Sequence, residues 1–485
     1  MARVTASRTV PGWLVIVGGV AATQVVALVL FVGLAEPWQA LALLAAAGGA
    51  AAIMARPRLG LYVMTAVFIG QWPWNISRYV GLIAVVSALV WLMRRRRPLL
   101  PRSSILGLVL LYVVMVLLST ISPATSLNIA TGAIAALSYL ALGWLCVVLV
   151  DSRQVARTVV GIIIVAGVVT AIIGLVQAVT RFRWMASTYV AAIGGGIPPG
   201  LPTTFLQSSL GDFRIDSITG TPDFLGVTMQ TVMPFMLVWL LRQRRVTGWL
   251  LGVAGLGLLG TANLLSFARG AWVVTLIVLL MTLWMADRRR VFPVVVALAL
   301  GLVALMAWEP VRTRTMTMID FLAGPTGPGG ELEPGAWRLY ITPVAIEVML
   351  ARPWLGVGVD QSAYNWPASA AKLVWFGVPG VAAPVHNSYL AAGMELGLGG
   401  LAVVLALVTL TAARLLWVTA RFEHKGDAEL ASYSRAAFAS FVGLALELLF
   451  YPMLSGFRYF WLLVGLAAAL VRLERAPHGP RPEAA

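Results

Sequence analysis

The residues in this chain best suited to chemistry are one histidine and a few arginines. His386 stands in Pro384-Val385-His386-Asn387-Ser388-Tyr389-Leu390, at the end of a long polar stretch and just before an apolar run long enough to cross a bilayer. An imidazole titrating near ~6.5 is largely neutral at pH 7 and can take a proton from a hydroxyl. At about 100° per residue, a helix starting near His386 puts Gly393 and Gly397 on one face and Glu395 on the opposite one. The histidine is therefore expected above a smooth glycine groove, where a lipid or another helix can approach the backbone closely. The competing reading is an interfacial histidine that merely caps a span. His424, in a charged connector, and His478, in a Pro-rich tail, are weaker candidates.

Three arginines stand where topology does not call for them. Arg214 lies in Asp212-Phe213-Arg214-Ile215-Asp216, Arg269 in the tight connector Ser266-Phe267-Ala268-Arg269-Gly270, and Arg338 directly after Trp337. An arginine held at the hydrocarbon centre costs about 2.5–3.5 kcal/mol on insertion scales, less near the interface, so it marks a partner or a substrate. Singly, each could snorkel to lipid headgroups. Converging beside His386, they would suit an anionic, pyrophosphate-bearing headgroup, because guanidinium forks match phosphate oxygens. Two carboxylates, Glu395 and Glu447, fall in apolar runs; pairing with an outer arginine such as Arg338 or Arg458 is the favoured reading for both. The chain has no HExxH, no Cys or His cluster and no paired acidic motif, and its Gly-rich segments lack the Lys-Ser/Thr ending of a nucleotide loop. No metal and no cofactor are expected.

The elements that must position these residues are membrane helices. Hydrophobic residues make up 60% of the 485 positions and mean hydropathy is +0.89, which excludes a soluble globule. The apolar runs are helix-length rather than the short alternating segments of a barrel. Fourteen candidates lie near 12–34, 38–55, 59–71, 79–93, 104–121, 129–150, 157–179, 223–241, 247–265, 270–286, 291–308, 388–420, 430–450 and 456–473. If the second and third form a hairpin that does not cross, the number falls to twelve. The expected fold is thus an all-α polytopic membrane protein. The first run is long enough to be a retained span rather than a cleaved signal. The lone Cys146 excludes an intrachain disulfide.

The net charge of +16 is almost all arginine, with lysine only at 372 and 425. Basic clusters fall in alternate short connectors, at Arg56 and Arg58, Arg94 to Arg97, Arg153 and Arg157, Arg242 to Arg245, Arg288 to Arg290, and Arg421 with Lys425. The positive-inside rule makes these connectors and both termini cytoplasmic; the charge is explained by an anionic leaflet, and nucleic acid is not expected. Two long connectors, 180–222 and 309–385, then face outward and carry the prior for a site. Within the second, Thr342-Pro343 reads as a helix start and Val344 to Leu350 as a short helix. The chain divides into N-terminal spans (1–179), a catalytic membrane region (180–475) and a cytoplasmic tail (476–485).

Several of these segments resemble the O-antigen ligase and O-antigen polymerase superfamily of bacterial inner-membrane glycosyltransferases. His386-Asn387, nine residues and Gly397 resemble that family's H-[NSQ]-x9-G signature. Ser266 to Gly270 resembles its S-x-S-R-G segment, departing at Ala268, and Arg214 to Pro222 resembles its R-x-x-G-T-x-x-[PN] segment with longer spacing. Trp337-Arg338 with Pro353-Trp354-Leu355-Gly356-Val357-Gly358 resembles its R…P-L-L-G-V-G run. The resemblance implies metal-free transfer of a glycan from undecaprenyl pyrophosphate to an acceptor sugar hydroxyl on the periplasmic face. It further implies His386 as general base, Arg214, Arg269 and Arg338 on the pyrophosphate, and Asn387, Glu395, Gly393 and Gly397 in support. The acceptor would be lipid A-core for a ligase, which the histidine signature favours, or a second lipid-linked glycan for a polymerase. A flippase for the same lipids is the rival from another class. It would need charges in many helices, whereas here they cluster on one outer face.

Overall fold

The computed structural model describes residues 37–70, 74–101, 103–122, 129–180, 214–219, 221–313, 315–316, 337–362, 385–451 and 458–476. The expected first span, 12–34, the tail 477–485 and most of both long connectors lie outside them. The order of the principal helices is α1 (Pro37–Ala55), α2 (Pro57–Ile69), α3 (Trp74–Arg95), α4 (Ser104–Ser119), α5 (Ile129–Leu149), α6 (Arg153–Thr180), α7 (Pro222–Leu241), α8 (Val246–Leu265) and α9 (Arg269–Ala286). There follow α10 (Val291–Leu305), α11 (Trp337–Ala351), α12 (Ser388–His424), α13 (Ala428–Glu447) and α14 (Arg458–Arg475).

The described residues contain no strand, and α6, α7, α8, α9 and α12 are each long and apolar enough to cross a membrane. In lipid every backbone polar group must be satisfied within its own segment, and helices do this. The protein is an all-α, polytopic integral membrane protein. Each apolar run expected between 38 and 473 coincides with one of these helices.

The structure differs from the sequence reading in two helices. α11 begins at Trp337 and runs through Pro343 instead of starting there. A proline removes one amide donor and strains one turn. Packing outweighs that cost, because Ala345, Val348 and Met349 bury against Val357, Val385 and Met394. α12 is not one continuous span: Gly397, with φ 75° and ψ −178°, breaks it nine residues past its start at Ser388.

The two ends of the bundle differ in charge chemistry. At one end Arg58 and Arg97 pair with Asp151, Arg153 with Asp427, Arg157 with Glu429, and Arg421 and Lys425 with Glu474. The basic connectors therefore gather on a single face. α14 runs through the centre, with Tyr459, Phe460 and Trp461 fully buried, and at the charged end its Arg472 donates to the Val150 carbonyl at 2.8 Å. The resembling motifs lie at the opposite end, at the starts of α7, α9 and α12.

Candidate functional site

The Arg214 segment is shaped by a residue that the sequence did not advertise. Gln177, buried near the end of α6, accepts from the amides of Asp216 and Ser217 at 2.9 and 2.8 Å and donates to Asp216 Oδ1 at 2.5 Å. Ser217 turns left-handed (φ 53°) and donates to the Thr170 carbonyl at 2.7 Å. Thr221 then caps α7 by accepting from the Phe224 amide, with Pro222 at the first helical position. Gln177 could have been suspected only from its place near the end of an otherwise apolar run.

This tight turn delivers Arg214 to the Ser266 connector. Its Nε donates to the Ser266 carbonyl at 2.9 Å and its other fork nitrogen pairs with Asp223 at 2.8 Å. The Ile215 amide donates to the Leu265 carbonyl at 3.3 Å. Two motifs separated by some fifty residues of sequence are thus one structure, with |i−j| of 52 between the bonded groups. Arg269 is the first residue of α9, and the preceding Ala268 offers no side-chain cap. The first-turn amides of α9 and their dipole therefore add to the positive field of the two guanidiniums.

His386 is held just outside α12. Asn387 is the N-cap, its Oδ1 accepting from the Tyr389 and Leu390 amides at 3.0 and 3.1 Å. The Ser388 amide donates to the Leu448 carbonyl at 2.7 Å, its hydroxyl to the Tyr451 carbonyl at 2.5 Å, and the Tyr389 hydroxyl to the Ala445 carbonyl at 2.8 Å. The half-buried imidazole thus stands on a start pinned to the end of α13. The same end receives α9, because a side chain on Gly270 would begin 3.5 Å from Glu447 Oε2. Asn387 also begins an open, largely apolar groove of about 560 Å³ that runs between α12 and α13 past Leu401, Leu405 and Val408 to Ala412.

The glycines of the histidine motif act differently from the open groove expected. Gly393 faces Met349 of α11, and a side chain on Gly397 would begin 2.6 Å from the Pro353 and Trp354 carbonyl oxygens. This chain's own segment 353–358 fills the face. The break at Gly397 frees the carbonyls of Met394 and Glu395, which accept from Val357 and Gly358 at 2.8 and 3.0 Å, while the Leu398 amide donates to Pro353 at 2.7 Å. Gly356, at φ 64°, lies flat against the Met394–Glu395 backbone. The resembling Pro353 to Gly358 run and Gly397 are therefore two halves of one joint.

Of the two carboxylates, Glu447 differs from the expected arginine pairing and Glu395 has a hydroxyl partner of its own. Glu395 accepts from the Ser362 hydroxyl at 2.7 Å, so it anchors the same strap. Asp360 on that strap is pushed above the usual carboxylate range by burial. Glu447 is fully buried, and neither oxygen has a hydrogen-bond partner among the described residues. Arg458 instead lies over the Phe68 ring at 5.5 Å. Arg338 is the second residue of α11, and its side chain lies outside the described residues.

Residues 254–405 match the family model described as O-antigen ligase. The match takes in Arg269, Arg338 and the histidine motif and supports the O-antigen ligase superfamily; Arg214 and Glu447 fall outside it. No curated protein matches the chain.

Proposed function

We propose that this protein transfers a glycan from undecaprenyl pyrophosphate to a sugar hydroxyl of lipid A-core, on the periplasmic face of the bacterial inner membrane, a reading supported by the match of residues 254–405 to the O-antigen ligase family model. The observation that carries this reading is the meeting of Arg214, Arg269 and the His386-bearing start of α12 around the last turn of α13. The basic connectors lie at the other end, which the positive-inside rule makes cytoplasmic, with both termini there.

In this reading His386 takes the proton of the acceptor hydroxyl as its oxygen attacks the anomeric carbon. The bond from that carbon to the pyrophosphate oxygen breaks, and the electron pair leaves with the lipid pyrophosphate. Arg214, Arg269 and Arg338 stabilise the charge that grows there, helped by the N-terminus of α9. Attack from the face opposite the leaving group inverts the anomeric centre. The apolar groove beginning at Asn387 suits the donor's hydrocarbon chain. Asn387 and the Gly397 joint hold the imidazole in place, so the supporting role of Gly393, Gly397 and Glu395 is positional.

Purified protein given a lipid-linked repeat alone should make no product, and addition of lipid A-core should give a single transfer. A ladder of repeats without lipid A-core would make the protein a polymerase that uses the same residues.

A further inference from the structure

Glu447 ends α13 with both carboxyl oxygens buried and unpartnered among the described residues. Removing a carboxyl group from water is costly unless hydrogen bonds or an opposite charge replace the lost hydration, and among the described residues neither does. A leucine would fill the position without that cost, as Leu446 and Leu448 do on either side. An intramembrane carboxyl left in this condition points to a ligand.

The surroundings narrow the ligand. Oε2 lies 3.5 Å, and the Tyr451 hydroxyl oxygen 3.9 Å, from where a side chain on Gly270 would begin, directly after Arg269. Arg214 reaches the same connector, its Nε donating to the Ser266 carbonyl three residues before Arg269. The neighbouring Leu448 carbonyl holds Ser388, two residues after His386. Glu447 is thus beside both arginine segments and the histidine helix. A carboxylate there repels the pyrophosphate itself but suits what hangs from it, since sugar hydroxyls donate readily to a carboxylate.

We propose that Glu447 binds the sugar joined directly to the pyrophosphate, accepting hydrogen bonds from its hydroxyls and so turning its anomeric carbon toward the attacking oxygen. This rests on the donor being a polyprenyl-pyrophosphate glycan. The residue becomes a determinant of which first sugar is accepted, because a donor lacking the matching hydroxyl leaves the carboxylate unpaired.

The test is a cycle between Glu447 variants and deoxy donors. Wild type, Glu447→Gln and Glu447→Leu are assayed for transfer from a lipid-linked glycan and from analogues lacking one hydroxyl of the first sugar, and for binding of undecaprenyl pyrophosphate without glycan. Wild type should lose at least tenfold in kcat on one analogue. Glu447→Leu should lose as much on the complete donor and little more on that analogue, with Glu447→Gln between, and all three should bind undecaprenyl pyrophosphate alike. Losses that simply multiply for every analogue, or unchanged transfer by either variant, would overturn the assignment while leaving the donor reading intact. Should Glu447→Leu not fold, the isosteric Glu447→Gln completes the cycle. Absence of product from wild type with every donor would overturn both readings together.

Discussion

At the scale of single residues, the account rests on what each side chain can do where it is held. The Arg269 side chain is half-buried at the head of α9 and offers a planar fork. Arg269→Lys keeps the charge and loses the bidentate geometry, so donor affinity should fall about tenfold, and Arg269→Ala should cost on the order of 1.5–3 kcal/mol of binding. Equilibrium binding of undecaprenyl pyrophosphate to the three forms checks this, and equal affinities would move the pyrophosphate elsewhere. Arg214 ties the start of its segment to the next connector through two partners, Ser266 and Asp223. Arg214→Ala should therefore lower thermal stability as well as donor binding, which thermal unfolding measured beside the binding assay checks. The candidate arginines are legible in the sequence, since arginines on the outer side break the charge pattern set by the short connectors. Gln177 is not, because a glutamine that holds a loop by two amide bonds leaves no spacing signal.

At the scale of elements, the decisive feature is the joint between α12 and the segment after α11. Gly397 adopts a backbone conformation that side chains rarely tolerate, and the Pro353 and Trp354 carbonyls already occupy the space of a Cβ. Gly397→Ala should cost at least the ~1–3 kcal/mol of such strain and reduce transfer by tenfold or more, with the histidine itself untouched. Thermal unfolding measured beside activity checks this; a fully active variant of wild-type stability would mean that the strap does not position His386. Apolar run length alone places α12 within a few residues. The sequence reading takes 388–420 as one span and its glycines as an open face. Helical periodicity assumes a continuous helix, and nothing local marks Gly397 as the one glycine of four between 393 and 400 at which the chain turns. The short helix around Pro343 was misplaced for a related reason. Propensity starts a helix at a proline, and only the packing of α11 on α12 shows that it starts earlier.

At the scale of the whole molecule, the claim is an orientation and a division of labour between two ends. Charged pairs such as Arg153 with Asp427 and Arg157 with Glu429 tie the basic connectors into one face, while Arg214, Arg269 and His386 stand at the other. Single cysteines at 200 and 328, in a Cys146→Ser background, should react with an impermeant thiol reagent added outside, and cysteines at 96 and 289 only after the membrane is opened. The reverse pattern would put His386 in the cytoplasm. The succession of spans was legible because hydropathy and basic connectors alone determine it. The convergence of three distant motifs on the end of α13 was not, since no local pattern records which helix ends meet. The most direct test of the central claim is transfer of a lipid-linked glycan to lipid A-core by purified wild-type protein and by His386→Gln at equal fold and donor affinity. The account requires product from wild type and a loss of about 10²–10⁴-fold in the variant, the range for a positioned general base; transfer by His386→Gln at the wild-type rate would contradict it.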